Sequence, residues 1–211
     1  MDNTSRRIAD YAVAMQTAPL PGGSADAVTR HLIDSVACAF GALGARPARV
    51  ARTIAGTARS SAGASVFGLA QPTTPEYATF ANTVMVRYLD YNDTGNGGHP
   101  SDMMSGVLAL GEARGASGAE VILAIHAAYE TYAAIRRGGL YGNLLRNKHV
   151  DQIYATLGAV VGAGVILGLD HERMGHAIAL ALTPNIPMRV TRTGLTSDWT
   201  GCATAHGTMN A

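Results

Sequence analysis

The sequence predicts an all-α protein, and we interpret residues 1–211 as a single helical domain. Apolar residues recur at intervals of three and four in nearly every segment, which is the spacing of a buried helix face. Cap signals divide these segments, and no series of alternating apolar and polar residues indicates a sheet. At this length the chain can bury a sizeable core.

Local signals place the helices in order along the chain. Ser24, Thr74 and Asp170 are suitable N-caps, and Pro75 suits a first helical position. Ser117 and Glu120 have the spacing of a capping box. A short strand is predicted at 64–68. The predicted helices cover residues 7–17, 24–43, 49–60, 75–90, 100–114, 117 onwards, 151–168, 171–182 and 201–211.

Composition restricts the class of partner. The chain is 47% hydrophobic and 15% charged, which favours burial of apolar surface in a homodimer. Its net charge is +1 and no basic run is present, so we expect neither nucleic acid nor a membrane as partner. Cys38 and Cys202 are expected to be buried, reduced thiols, and a cytoplasmic location is expected.

A polar stretch between two helical patterns is the first candidate site. Asp90, Asp93, Thr94, His99 and Asp102 lie within fourteen residues around a glycine-rich gap. We expect the two aspartates to share one side of a helix end, and the imidazole to carry protons near neutral pH. The alternative interpretation is a turn-rich solvated loop. For the last aspartate and the serine before it, helix capping is favoured over catalysis.

Two further clusters are candidates for substrate binding. Lys148, His149 and Asp151 lie together before an apolar helix, where a cation and an imidazole can bind and deprotonate a carboxylate. Arg189 and Arg192 lie among hydroxyl residues and suit forked hydrogen bonds to a carboxylate. For both clusters the alternative is an ordinary polar helix start or exposed loop.

The other histidines are interpreted as structural. His31 and His126 fall in apolar helices, and His171 and His176 are five residues apart, which does not suit two ligands on one helix face. We therefore predict no metal site. No phosphate-binding glycine motif or nucleophile elbow is present in the sequence.

The sequence resembles the MmgE/PrpD family, in four segments that follow the family's order. They are Asp90–Thr94 (DYNDT), His99–Ser101 (HPS), Leu32–Cys38 (LIDSVAC) and Gly194–Ala203 (GLTSDWTGCA). The resemblance implies a helical domain that forms a homodimer. It also implies chemistry on a di- or tricarboxylic acid without a metal, an Fe–S cluster or another cofactor.

By this resemblance, Asp90, Thr94, His99 and His149 fall on active-site positions of the family, and Arg192 falls near the segment that closes over the substrate. We therefore expect Asp90, His99 and His149 to be catalytic. Thr94 and Arg192, together with Lys148 from the second cluster, are expected to bind substrate. The implied reaction is proton abstraction next to a carboxylate. Dehydration of 2-methylcitrate is the first candidate, with decarboxylation of cis-aconitate or epimerisation of iminodisuccinate as alternatives. If the catalytic residues act together, the histidines at 99 and 149 should line one cleft.

The sequence departs from the family in two ways. Family members commonly carry a lysine at the position of Thr200, and they continue into an α+β lid domain after the helical part. We therefore expect an impaired enzyme or one that depends on a second chain for its lid, whether the chain is truncated, split or repurposed. The alternative is a dimeric helical scaffold that binds a carboxylate without turnover.

Overall fold

The structure is a computed structural model that describes residues 1–95, 98–138, 152–185, 188, 194 and 197–211. These residues form nine α-helices, so the all-α prediction is confirmed. The helices are α1 (Asn3–Met15), α2 (Ser24–Gly41), α3 (Arg46–Ala55), α4 (Pro75–Tyr88), α5 (Met104–Arg114), α6 (Gly118–Arg137), α7 (Gln152–Ile166), α8 (His171–Leu182) and α9 (Trp199–Asn210). A 3-10 turn, Pro100–Met103, precedes α5.

The predicted caps are confirmed at two helices and not at two others. Ser24 is the first residue of its helix and follows the N-cap Gly23, and Thr74 precedes its helix without a side-chain hydrogen bond. The Asp170 carboxylate accepts from the Arg173 amide at the start of α8. Ser117 and Glu120 form both hydrogen bonds of the capping box at α6. The third helix begins and ends earlier than the predicted range of 49–60. The strand β1 covers Arg59–Ala64, whereas the prediction placed a strand at 64–68.

Four apolar clusters are present among the described residues, and two of them are the largest. One surrounds α4, where Ala81, Val84 and Met85 are fully buried against α2, α3 and β1. The other surrounds α7, where Val160 and Val161 pack with α1, α6 and α8. The end of α4 belongs to the first cluster, and Met103 of the 3-10 turn is buried in another cluster with Tyr132 and Tyr154. The polar stretch between them is therefore fixed at both ends.

Helix α7 packs closely against α6 because of its glycines. A Cβ added at Gly158 would lie 2.9 Å from the Ala128 carbonyl oxygen, and one at Gly162 would lie 3.2 Å from that of Ala124. This confirms the predicted role of the small-residue helix. Of the thiols, Cys38 is buried as expected, whereas Cys202 is partly exposed. None of the described helices is long and apolar enough to cross a membrane.

Candidate active site

The first candidate site lies between α4 and the 3-10 turn, and we name its residues 90–95 and 98–102 the His99 segment. Helix α4 ends at Tyr88, and Asp90 follows with a φ of +54°. A non-glycine residue in this left-handed region costs about 1–3 kcal/mol and persists only where its surroundings hold it. Further along, Gly95 and Gly98 exchange backbone hydrogen bonds of 2.9 and 3.3 Å.

His99 is held between two oxygen atoms. Its Nε2 lies 3.0 Å from Oδ1 of Asp90, and its Nδ1 lies 3.3 Å from the carbonyl oxygen of Asn92. A carbonyl and a carboxylate only accept hydrogen bonds, so a ring nitrogen of His99 can take part in either contact only as a donor. The side chain is 15% exposed, so the ring is fixed but borders solvent. Two predicted site residues are thus brought into direct contact.

Arg87 connects Asp90 to the protein interior, and sequence reasoning missed it. Its side chain is only 6% exposed, and its Nη1 contacts Oδ1 of Asp90. Its Nε lies 3.2 Å from Oδ2 of Asp102, which is 4% exposed. The guanidinium therefore bridges one exposed and one buried carboxylate. The signal available in the sequence was an arginine within an otherwise apolar helix, where a charged side chain needs a partner.

Asp102 is buried in a polar pocket and does not cap a helix. The Asn92 amide donates to its Oδ1 at 2.9 Å and also to the Ser101 hydroxyl at 2.7 Å. Burial raises the pKa of Asp102 to about 7, although Arg87 and hydrogen bonds from Asn92 and Thr204 lower it. The expectation that this residue and the preceding serine act as helix caps is wrong, because both side chains are buried and the turn has no side-chain cap.

Asp93 has a different set of partners from Asp90. Its Oδ1 accepts from the Ser101 amide at 2.9 Å, and its Oδ2 accepts from the Tyr129 hydroxyl at 2.9 Å. His31, which sequence analysis treated as structural, lies 3.4 Å from the same Oδ2. The two aspartates do not extend from a helix end, since α4 stops before both.

The outer side of the His99 segment is open to solvent. Tyr91 is 81% exposed, the Asp90 side chain is 68% exposed, and Thr94 is also exposed. Lys148, His149 and Arg192 lie outside the described residues, so their convergence with His99 stays a prediction. Thr200 is the second residue of α9, and its buried hydroxyl oxygen has no hydrogen-bond partner among the described residues.

This arrangement suits proton transfer. An imidazolium beside a carboxylate can donate a proton to a departing group and recover it through Asp90. A buried guanidinium holds that carboxylate in place. Among the described residues, no group of three or more histidine, cysteine, aspartate or glutamate side chains is placed to hold a metal ion.

Comparison with known proteins identifies the family. Residues 6–211 match the MmgE/PrpD N-terminal domain. The chain belongs to the MmgE/PrpD family. The His99 segment therefore lies within the part of the sequence that defines membership.

Two curated relatives illustrate the range of the MmgE/PrpD family. The human (Homo sapiens) cis-aconitate decarboxylase is 30% identical over 141 residues, which is 63% of this chain and 29% of the relative. The probable 2-methylcitrate dehydratase of Saccharomyces cerevisiae is 26% identical over 220 residues, which is 93% of this chain and 42% of the relative. The chain thus spans less than half the length of either relative.

Proposed function

We propose that this chain forms the catalytic helical part of a lyase that removes a proton next to a carboxylate of a small di- or tricarboxylic acid. Dehydration of 2-methylcitrate is the reaction we favour. The similarity to a probable 2-methylcitrate dehydratase extends over 93% of the chain, compared with 63% for the decarboxylase. Decarboxylation of cis-aconitate and epimerisation of iminodisuccinate are the alternative reactions.

The observation that carries this proposal is the contact between His99 and Asp90. A histidine held by a carboxylate at the edge of a domain is a recognised means of moving protons at neutral pH. Here the pair is 3.0 Å apart, and the imidazole ring is fixed on its other side by a main-chain carbonyl. Thr94 is exposed four residues from Asp90 and is proposed to contact the substrate.

In a dehydration, a base takes the proton from the carbon next to a carboxylate, and the hydroxyl on the neighbouring carbon leaves with a proton from an acid. The two carbons become joined by a double bond, and the products are an alkene and water. We assign the acid role to His99, because its Nε2 contacts the Asp90 carboxylate, through which it can recover a proton. We propose His149 as the base, with Lys148 and Arg192 binding the substrate carboxylates.

The test is a pair of measurements on the chain alone and on the chain with the product of any adjacent gene. Turnover and calorimetric binding are measured with 2-methylcitrate and cis-aconitate. We expect His99→Gln to lower turnover by about 10²–10⁴-fold, the usual contribution of a positioned acid or base. His176→Gln is the control, because this histidine is 74% exposed on α8. Equal turnover in the two variants would contradict the assignment.

A second candidate function is carboxylate binding without turnover, in a dimeric helical scaffold. Two observations favour it. Position 200 holds an uncharged threonine where the family commonly has a lysine, and Arg87 is already shared between Asp90 and Asp102. This function predicts that cis-aconitate binds and that neither acid is converted with or without another polypeptide, whereas the lyase predicts conversion in at least one of these preparations.

A further inference from the structure

A second polar cluster lies behind the His99 segment and joins it to two helices. The Tyr129 hydroxyl, on α6, donates to Oδ2 of Asp93 at 2.9 Å, and Nδ1 of His31, on α2, lies 3.4 Å from the same oxygen. The rings of Tyr129 and His31 stack, with centroids 5.2 Å apart and planes inclined by 28°. We name Asp93, Tyr129 and His31 the Asp93 clasp.

The two carboxylate oxygens of Asp93 have different hydrogen-bond partners. Its Oδ1 accepts from the Ser101 amide, which lies beyond the glycines at the far end of the His99 segment. Its Oδ2 faces the two helices. The side chain is 9% exposed, so water competes weakly for either oxygen. The Asp93 carboxylate thus joins two parts of the His99 segment through Oδ1 and attaches the segment to α2 and α6 through Oδ2.

The Asp93 clasp lies next to the carbonyl group that contacts Nδ1 of His99. Nδ1 of His99 contacts the carbonyl oxygen of Asn92, and this carbonyl belongs to the peptide group that joins Asn92 to Asp93. A movement of Asp93 therefore moves the acceptor that orients the imidazole. Such an acceptor fixes which ring nitrogen retains its proton, and so whether Nε2 is the atom that exchanges protons.

We propose that Tyr129 is a positioning residue for His99, acting through Asp93, and that His31 supports it by stacking. This inference rests on the proposed role of His99. Tyr129 is suited to the task because its hydroxyl is a donor aimed at a buried carboxylate. Burial and the neighbouring Asp93 raise the pKa of Tyr129, so the hydroxyl keeps its proton.

The decisive variant is Tyr129→Phe, which removes one oxygen atom and retains the ring. Tyr132→Phe is the matched control, because Tyr132 is also buried on α6 but its ring packs edge-on against Tyr154, with centroids 5.7 Å apart. The readouts are the ¹⁵N chemical shifts of the His99 ring, assigned from their loss in His99→Gln, and hydrogen exchange of the Ser101 amide. Neither readout needs a substrate, so failure of this inference is distinguishable from failure of the proposed function.

We expect Tyr129→Phe to speed exchange of the Ser101 amide by about tenfold, since a hydrogen bond to a charged group is lost. The His99 nitrogen shifts should move toward an average of the two tautomers. His31→Phe retains the stack and removes only the weaker 3.4 Å contact, so its effect should be smaller. Tyr132→Phe should change neither readout.

Three results would overturn the inference. In the first, Tyr129→Phe folds and both readouts match those of the unaltered chain. In the second, the two tyrosine variants change the readouts equally, which would attribute the effect to packing of α6. In the third, Tyr129→Phe fails to fold while His31→Phe leaves both readouts unchanged, which would make the hydroxyl part of the core.

Discussion

Replacement of Asp102 by asparagine should change how stability depends on pH. Asp102 is buried with Arg87, and its burial raises the pKa from 3.8 to about 7. In the unfolded chain the carboxyl is exposed and titrates near its ordinary value. Between these two values the folded protein keeps a proton that the unfolded chain has lost. The free energy of unfolding therefore falls as the pH rises through this window.

The magnitude follows from the two pKa values. A separation of about three pKa units corresponds to about 4 kcal/mol at 1.36 kcal/mol for each unit. This contribution is fully present below pH 3.8 and is lost once the pH exceeds the folded pKa of about 7. Asparagine does not titrate, so the variant should lack this part of the pH dependence.

The asparagine can be accommodated in the pocket. The side-chain oxygen of Asn92 is buried without a hydrogen-bond partner, while its amide nitrogen donates to Ser101 and Asp102. Rotation of the Asn92 amide by 180° would present that oxygen to the new amide group, and the Ser101 hydroxyl would then donate to it. The variant should therefore fold and retain a neutral partner for Arg87.

The assay is urea unfolding between pH 4.5 and 7.5, with the exposed Asp26→Asn as control. The difference in unfolding free energy between Asp102→Asn and the unaltered chain should change by about 3 kcal/mol over this range, in favour of the variant at higher pH. A constant difference would refute the reasoning. It would mean that Asp102 is ionised throughout and that Arg87 outweighs burial.

Three further predictions concern activity, packing and association. The chain alone should bind cis-aconitate in calorimetry but turn over well below the usual enzyme range of about 1–10³ per second, because its site is open to solvent; turnover within that range would contradict this. Gly158→Ala should lower the unfolding free energy by about 1–2 kcal/mol, because the added methyl overlaps Met103 and the Ala128 carbonyl. Gly118→Ala is the control, because a methyl group added at Gly118 meets no other atom and should not destabilise the protein. Light scattering at micromolar concentration should give about twice the chain mass, as expected for a dimer that buries apolar surface; a monomer throughout that range would exclude the dimer.

Helix prediction succeeded where the information was local. Asp170 and the pair of Ser117 and Glu120 fix helix starts within one turn, so four residues of sequence contain the signal. Strand β1 was misplaced because its pairing depends on Thr73, which lies beyond a turn. Ser101 and Asp102 were misinterpreted as caps because burial, which decides their role, is a tertiary property.

The candidate site was predicted in part for the same reason. Asp90 and His99 are close in sequence, so their contact could be expected from one polar stretch. Tyr129 lies 36 residues from Asp93, and His31 lies on α2, so no local pattern joins them. Both lie on helices whose apolar spacing favours a structural interpretation. The prediction for His149 remains open.

A series of side-chain contacts leads from the buried Asp102 to His99 at the solvent-facing side of the site. Asp102 is buried and holds Arg87, Arg87 holds Asp90 in its left-handed conformation, and Asp90 holds Nε2 of His99. Arg87 is the buried cation of this series, so its loss would remove the partner that Asp102 and Asp90 share. Together with the Asp93 clasp, which fixes the opposite nitrogen through Asn92, this series positions both sides of the imidazole. Among the described residues, both ring nitrogens of His99 are thus contacted by residues of the His99 segment itself.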